Sequence, residues 1–83
     1  MKMTEQEYLV RIRELMQARF DNIPSVEDIN LDTDLMEDLP RVSLDMIDLI
    51  LTCETAFGVK LDMADAKNTH TIRQLIAWIE SAK

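Results

Sequence analysis

Apolar side chains recur every third or fourth residue in three stretches of this chain, and this spacing constrains the fold more than any other feature. It places the apolar residues along one face of an α-helix. One glycine and two prolines leave little material for the tight turns of a sheet-rich fold. Because 47% of the residues are hydrophobic, a core can form. We therefore predict one all-α domain over residues 1–83, without an interdomain linker.

The first helix is predicted to begin at Thr4, because Thr4 and Glu7 have the spacing of a capping box. It ends near Phe20, since Pro24 disfavours helical backbone at the residue before it. Its inward face comprises Tyr8, Leu9, Ile12, Leu15, Met16 and Phe20. A long connection over residues 21–42 follows. Four aliphatic residues are expected to hold this loop against the core, namely Ile29, Leu31, Leu35 and Leu39.

The second helix is predicted from Ser43 to about Phe57, and Gly58 supplies its C-terminal stop. Its core face comprises Met46, Leu49, Ile50, Cys53, Ala56 and Phe57. Three further aliphatic residues lie on roughly the opposite side: Leu44, Ile47 and Leu51. The acids beside them are Asp45, Asp48 and Glu54. Either the long loop or the short third helix covers this second stripe, or a partner protein does.

The end of the chain adds one short and one long helix. Asp62 caps a short third helix from Met63 to about Lys67. Thr71 and Gln74 form a second capping box, which begins the last helix. The inward face of that helix comprises Ile72, Leu75, Ile76 and Ile79. Three main helices, a short third helix and the long loop between helices one and two predict a small four-helix bundle.

The net charge of −7 is unevenly distributed. Residues 25–65 hold eleven acids and two bases, Arg41 and Lys60, which gives that span a charge of −9. Such a segment repels nucleic acid and anionic membranes and attracts basic protein surfaces, although a solvated acidic face kept for solubility is the plainer alternative. No apolar run approaches the roughly 20 residues of a membrane span, and the N-terminus has no apolar signal region. We expect a cytoplasmic monomer.

The residue patterns of common enzymes and metal sites are missing from the sequence. His70 is the only histidine and Cys53 the only cysteine, so neither a zinc cluster nor an internal disulfide can be completed. Residues 32–34 begin like a calcium loop, but Met36 and Glu37 occupy positions where a ligand and a glycine are required. Cys53 is predicted to be inert packing on the core face. We predict that the protein is not an enzyme.

The sequence Asp-Leu-Pro-Arg-Val-Ser-Leu-Asp over residues 38–45 resembles the Asp-Leu-Gly-x-Asp-Ser-Leu-Asp signature of acyl carrier proteins. The resemblance continues through residues 54–61, Glu-Thr-Ala-Phe-Gly-Val-Lys-Leu, and into residues 69–72. It covers essentially the whole chain and is strongest over residues 31–61. In that family a serine carries a 4′-phosphopantetheine arm, supplied by coenzyme A, and the terminal thiol of the arm holds acyl groups as thioesters.

The resemblance implies roles for particular residues. Ser43 would be the attachment residue, and the partner-docking face would comprise Leu44, Asp45, Ile47, Asp48, Leu51 and Glu54. The acyl chain would retreat among Met46, Ile50, Cys53 and Leu61. The implied partners are a phosphopantetheinyl transferase and acyl-transferring and chain-extending enzymes with basic docking surfaces. Without the resemblance, Ser43 is adequately explained as a helix N-cap, which stabilises by about 1 kcal/mol.

Two positions beside the serine depart from the family signature. Val42 replaces an aspartate that, as the resemblance implies, helps the transferase and its magnesium to engage the serine. Pro40 replaces a glycine and stiffens the loop. The departures leave two hypotheses: a discrete carrier for a specialised pathway, or an unmodified interaction module that docks through the second helix. On the carrier hypothesis, Val42→Asp is predicted to speed modification by a general transferase.

Overall fold

The computed structural model describes residues 3–20, 26–39, 42 and 44–83. Over these residues the chain forms three α-helices: α1 (Glu5–Arg19), α2 (Met46–Phe57) and α3 (Ile72–Ser81). Two 3₁₀ helices lie between them: Val26–Asp28 before α2 and Met63–Asn68 after it. The predicted all-α bundle is confirmed, and its short third helix is the 3₁₀ helix at Met63–Asn68.

Local sequence signals set most of the helix ends. The Thr4 hydroxyl accepts a hydrogen bond from the Glu7 N–H at 3.2 Å, and the Thr4 N–H donates to the Glu7 carboxylate at 2.9 Å. Thr71 and Gln74 exchange the same pair of bonds at the start of α3. Gly58 ends α2 with φ at +64°, a left-handed conformation that glycine adopts without a Cβ clash. Both predicted capping boxes and the predicted glycine stop are therefore confirmed.

The three α-helices enclose one hydrophobic core, in which α1 packs against both α2 and α3. The helical core residues are Tyr8, Leu9, Ile12, Met16, Leu49, Ile50, Cys53, Ile72, Leu75, Ile76 and Ile79. Leu15, predicted to face inward, is only half-buried, as is Trp78. Burial of this apolar surface provides most of the stabilisation of a small helical domain.

The long connection is attached to the bundle, as its aliphatic spacing predicts. Ile29, Leu35 and Leu39 are buried in the core, and Leu31 is half-buried against it. The Arg13 guanidinium of α1 donates two hydrogen bonds to the Ile29 carbonyl. Three backbone hydrogen bonds then tie the loop to the start of α3: Leu35 N–H to His70 O, Ile72 N–H to Thr33 O and Arg73 N–H to Leu31 O. Residues 26–39 of the loop are therefore attached to α1 and to the start of α3.

The start of the second helix differs from the prediction. The continuous helix begins at Met46, three residues after the predicted start. Val42 and Leu44 have helical backbone, but Asp45 lies outside the helical region with φ −121° and ψ +41°. The Asp45 N–H bonds the Val42 carbonyl only three residues back. This tight turn separates Leu44 from α2, and the residue that precedes the helix is Asp45. The predicted first residue, Ser43, lies outside the described residues.

Candidate functional site

Ser43, the predicted attachment residue, lies outside the residues that the structure describes, between two neighbours with opposite environments. Val42 is completely buried, whereas Leu44 is 78% exposed. Two residues after Ser43, Asp45 precedes α2 and makes no capping hydrogen bond. The side chain of Asp45 therefore does not cap the first N–H groups of α2. A phosphodiester near this end would be stabilised by the helix dipole by about 0.3–1 kcal/mol.

The burial of Val42 revises the expectation for this position. Val42 belongs to the same buried cluster as Leu49 and Ile50, although the tight turn at Asp45 separates it from α2. From the sequence, Val42 is interpreted only as the loss of a contact to the transferase. In the structure, Val42 is part of the hydrophobic core. A carboxylate introduced by Val42→Asp would be buried without a solvent shell. We therefore expect that substitution to destabilise the fold instead of simply restoring recognition.

The second apolar stripe of the sequence is exposed to solvent. Leu44, Ile47 and Leu51 are 78%, 65% and 50% exposed, and we call these three residues the aliphatic stripe. The sequence left open whether the loop or the short third helix covers them, and the observed exposure favours an open face. Three exposed aliphatic side chains at helical spacing are costly to hydrate, and they can be buried against another protein.

The three acids predicted beside the stripe have different surroundings. Asp45 is exposed at the start of α2. Asp48 is half-buried and forms an ion pair with Arg19, with 2.6 Å between Nη2 and Oδ1. Glu54 is half-buried, and its Oε2 accepts a hydrogen bond from the Leu61 N–H at 2.7 Å. Asp45 is thus the acid that the described residues leave open to a partner, whereas Asp48 and Glu54 already have partners within the chain.

The hydrogen bond of Glu54 gives this residue a structural role that can be separated from its charge. Glu54→Gln keeps an acceptor oxygen for the Leu61 N–H and should retain the stability of the wild type within about 0.5 kcal/mol. Glu54→Ala removes the acceptor and should cost about 1–2 kcal/mol in the free energy of unfolding. Urea unfolding of the two variants measures this difference. Equal losses would show that the bond to Leu61 contributes nothing.

A groove of about 500 Å³ lies between α1 and α2, beside the aliphatic stripe. Its α1 side carries Arg11, Leu15 and Arg19, and its α2 side includes Asp48 and Leu51. Because Leu51 also belongs to the stripe, the groove and the stripe are continuous. Sequence reasoning missed the two arginines. Helical spacing marks them as outward residues of α1 but does not show which helix they face.

Several acids of the loop bind the chain's own backbone. Asp34 Oδ1 accepts hydrogen bonds from the Glu37 and Met36 N–H groups, which lower the pKa of the Asp34 carboxyl. Asp38 Oδ2 accepts from the Asp34 N–H at 2.9 Å. Asp62 caps the second 3₁₀ helix through the Ala64 N–H, as predicted. Part of the acidity of residues 25–65 therefore serves to shape loops.

Cys53 and His70 are the two remaining side chains that were considered for catalytic or metal chemistry. Burial raises the pKa of the Cys53 thiol to about 12, so it stays protonated and unreactive at neutral pH. His70 is exposed, and its backbone N–H bonds Gln74 at the start of α3. Over residues 3–20, 26–39, 42 and 44–83, no three acidic, histidine or cysteine side chains are grouped to hold a metal ion. Within the same ranges, no helix is long and apolar enough to cross a membrane.

Comparison with known proteins gives one consistent result. Residues 10–79 match a family model described as a phosphopantetheine attachment site. Acyl carrier protein 2 of Pseudomonas aeruginosa is 39% identical over 74 residues, which span 87% of this chain and 89% of that protein. The acyl carrier protein of Lactobacillus johnsonii is 30% identical over 81 residues, or 95% of this chain and 96% of the relative. A shorter match, 41% identical over 46 residues, joins it to the acyl carrier protein of Thermotoga maritima.

Proposed function

We propose that this chain, which belongs to the acyl carrier protein family, carries its 4′-phosphopantetheine arm on Ser43. Members of the family are carriers and not enzymes, and the arm is their covalent cofactor. The observation that carries the proposal is the match of residues 10–79 to the phosphopantetheine attachment model. Ser43 is the serine within the stretch that resembles the family signature. The thiol of the arm would hold acyl intermediates as thioesters.

The surroundings of Ser43 support this assignment. The exposed side chain of Leu44 marks solvent-accessible surface next to the serine. The N-terminus of α2, two residues away, is not capped by the Asp45 side chain, and its dipole favours an anion such as the phosphodiester of the arm. When bound, the arm supplies a thiol at the end of a long flexible chain. The protein's own residues would anchor that chain near a helix terminus, and the thiol of Cys53 is buried and stays protonated.

The aliphatic stripe would be the surface that partners contact. Leu44, Ile47 and Leu51 supply apolar area next to the arm, and the exposed carboxylate of Asp45 supplies charge. Aliphatic contact gives adhesion, whereas the acidic rim orients and attracts basic surfaces. The partners that fit this chemistry are a phosphopantetheinyl transferase and acyl-transferring or chain-extending enzymes with basic docking surfaces.

The pathway served by the carrier is a separate proposal. We infer a specialised pathway of fatty acid, polyketide or related biosynthesis, because Val42 departs from the family signature beside the serine and a basic residue, Arg41, precedes it. A cytoplasmic location fits a chain whose single cysteine needs no oxidising compartment. Replacement of a housekeeping carrier in a reconstituted fatty acid synthesis assay tests the inference. Full replacement would contradict it.

A second candidate is an unmodified module that docks partners through the aliphatic stripe. The buried Val42 favours this unmodified module, because Val42 replaces the aspartate that the family signature has before the serine. Intact-protein mass spectrometry separates the two candidates. The protein is incubated with coenzyme A and several phosphopantetheinyl transferases, with Ser43→Ala as the matched control. The carrier gains the mass of one phosphopantetheinyl group and the control gains none, whereas the unmodified module gains nothing with any transferase.

A further inference from the structure

The ion pair between Arg19 and Asp48 places a base inside an acidic docking surface. Arg19 is in the last turn of α1 and Asp48 in the first turn of α2, 29 residues later in the chain. Their nitrogen and oxygen atoms are 2.6 Å apart, so the ion pair is also a charge-assisted hydrogen bond. Both side chains keep substantial exposure, so a docking protein can reach them.

This pair borders the aliphatic stripe. Asp48 follows Ile47 directly and precedes Leu51 by three residues, and Asp48, Leu51 and Arg19 line the same groove. A basic side chain that docks on the stripe therefore meets an Asp48 that is already neutralised by Arg19. It gains the attraction of Asp48 only by displacing Arg19, and it is repelled by the guanidinium until it does.

We propose that Arg19 is a specificity-determining residue of the docking surface, which selects against partners that are basic along the side facing α1. The inference rests on the proposed docking role of the aliphatic stripe. The partner that fits has an apolar patch for Leu44, Ile47 and Leu51, and basic groups confined to the side of Asp45. Specificity here comes from a built-in repulsive charge as much as from attractive contacts.

The test uses the unmodified protein, so that its outcome does not depend on attachment of the arm. The probe is a synthetic amphipathic helical peptide with a leucine face and lysines along both flanks. The dissociation constant is measured at low salt from the amide NMR shifts of Ile47 and Leu51. Arg19→Ala should bind the peptide about two- to fivefold more tightly than the wild type, the range expected for release of one exposed ion pair.

Two controls separate the ion pair from the net charge. Arg11→Ala removes the same charge from the same groove, but Arg11 pairs with Glu14 at 3.8 Å and not with Asp48. It should tighten binding less than Arg19→Ala does. In an Asp48→Asn background, the gain from Arg19→Ala should be smaller, because the substitution then relieves only the repulsion by the guanidinium and frees no carboxylate for the peptide lysines. Urea unfolding verifies that each variant stays folded.

The inference is overturned by any of three results. The first is equal tightening by Arg19→Ala and Arg11→Ala, and the second is a gain from Arg19→Ala that is as large with Asp48→Asn as with Asp48. The third is absence of peptide-induced shifts at Ile47 and Leu51. A failure to attach the arm would instead appear in the mass spectrum of the wild type and would leave these dissociation constants unchanged.

Discussion

Val42→Asp should lower the free energy of unfolding by about 3–5 kcal/mol at neutral pH, because it buries a charged carboxylate in an apolar core. Val42 is completely buried in the core. Small domains of this length have a total stability of about 5 kcal/mol, so the variant should be close to unfolded. Val42→Ala removes two buried methyl groups and should cost about 2 kcal/mol. Urea unfolding followed by circular dichroism measures both losses.

The pH dependence of this loss identifies the buried charge as its cause. Burial raises the pKa of the new carboxyl group in the folded state above its ordinary value of about 4 in the unfolded chain. Below pH of about 4 both states hold the proton, so the loss relative to the wild type should be smallest there and should grow as the pH rises. Leu44→Asp introduces the same charge at an exposed neighbour and should change stability by less than about 0.5 kcal/mol. Equal losses for the two aspartates would contradict the burial of Val42.

Ile47→Ser should lower the kcat/KM of arm transfer by about 5- to 30-fold, provided that the aliphatic stripe is the surface the transferase contacts. Truncating a central apolar anchor of an interface costs about 1–2 kcal/mol of binding. The side chain is 65% exposed, so the free protein should lose little stability. The rate is measured with a purified phosphopantetheinyl transferase and coenzyme A, over a range of carrier concentrations.

Val10→Ser provides the matched control for this measurement. Val10 is an aliphatic residue on α1 with 52% exposure, and it lies outside the aliphatic stripe. Its substitution removes a similar exposed apolar side chain and should change kcat/KM by less than twofold, within the range of surface substitutions. Equal reductions of kcat/KM for Ile47→Ser and Val10→Ser would show that the transferase does not contact the aliphatic stripe.

The helices could be predicted from the sequence because their signals are local. Each capping box joins residues three apart, and Gly58 acts within its own turn. The anchoring of the loop was also predictable, since aliphatic residues that recur in a long connection must be buried somewhere. The aliphatic stripe could be found by helical geometry alone, although its exposure needed the structure.

The contacts that define the docking surface could not be predicted, because they depend on how the helices pack. The Arg19–Asp48 pair joins residues 29 apart, and nothing in the spacing of α1 shows that Arg19 faces α2. The sequence predicts that Glu54 belongs to the docking face, yet its carboxylate accepts a hydrogen bond from the Leu61 backbone N–H. In the sequence, Val42 is a departure from the family signature, and only its burial in the structure shows that it belongs to the core. The break at Asp45 has no sequence signal that we recognise.

The most direct test of the central claim is a peptide map of the protein after reaction with coenzyme A and a transferase. The chain has three serines, Ser25, Ser43 and Ser81, and trypsin releases residues 42–60 as a peptide that contains Ser43 alone. We predict that tandem mass spectrometry finds one phosphopantetheinyl group on this peptide, at Ser43. An unmodified 42–60 peptide after exposure to several transferases, or an arm on Ser25 or Ser81, would contradict the claim.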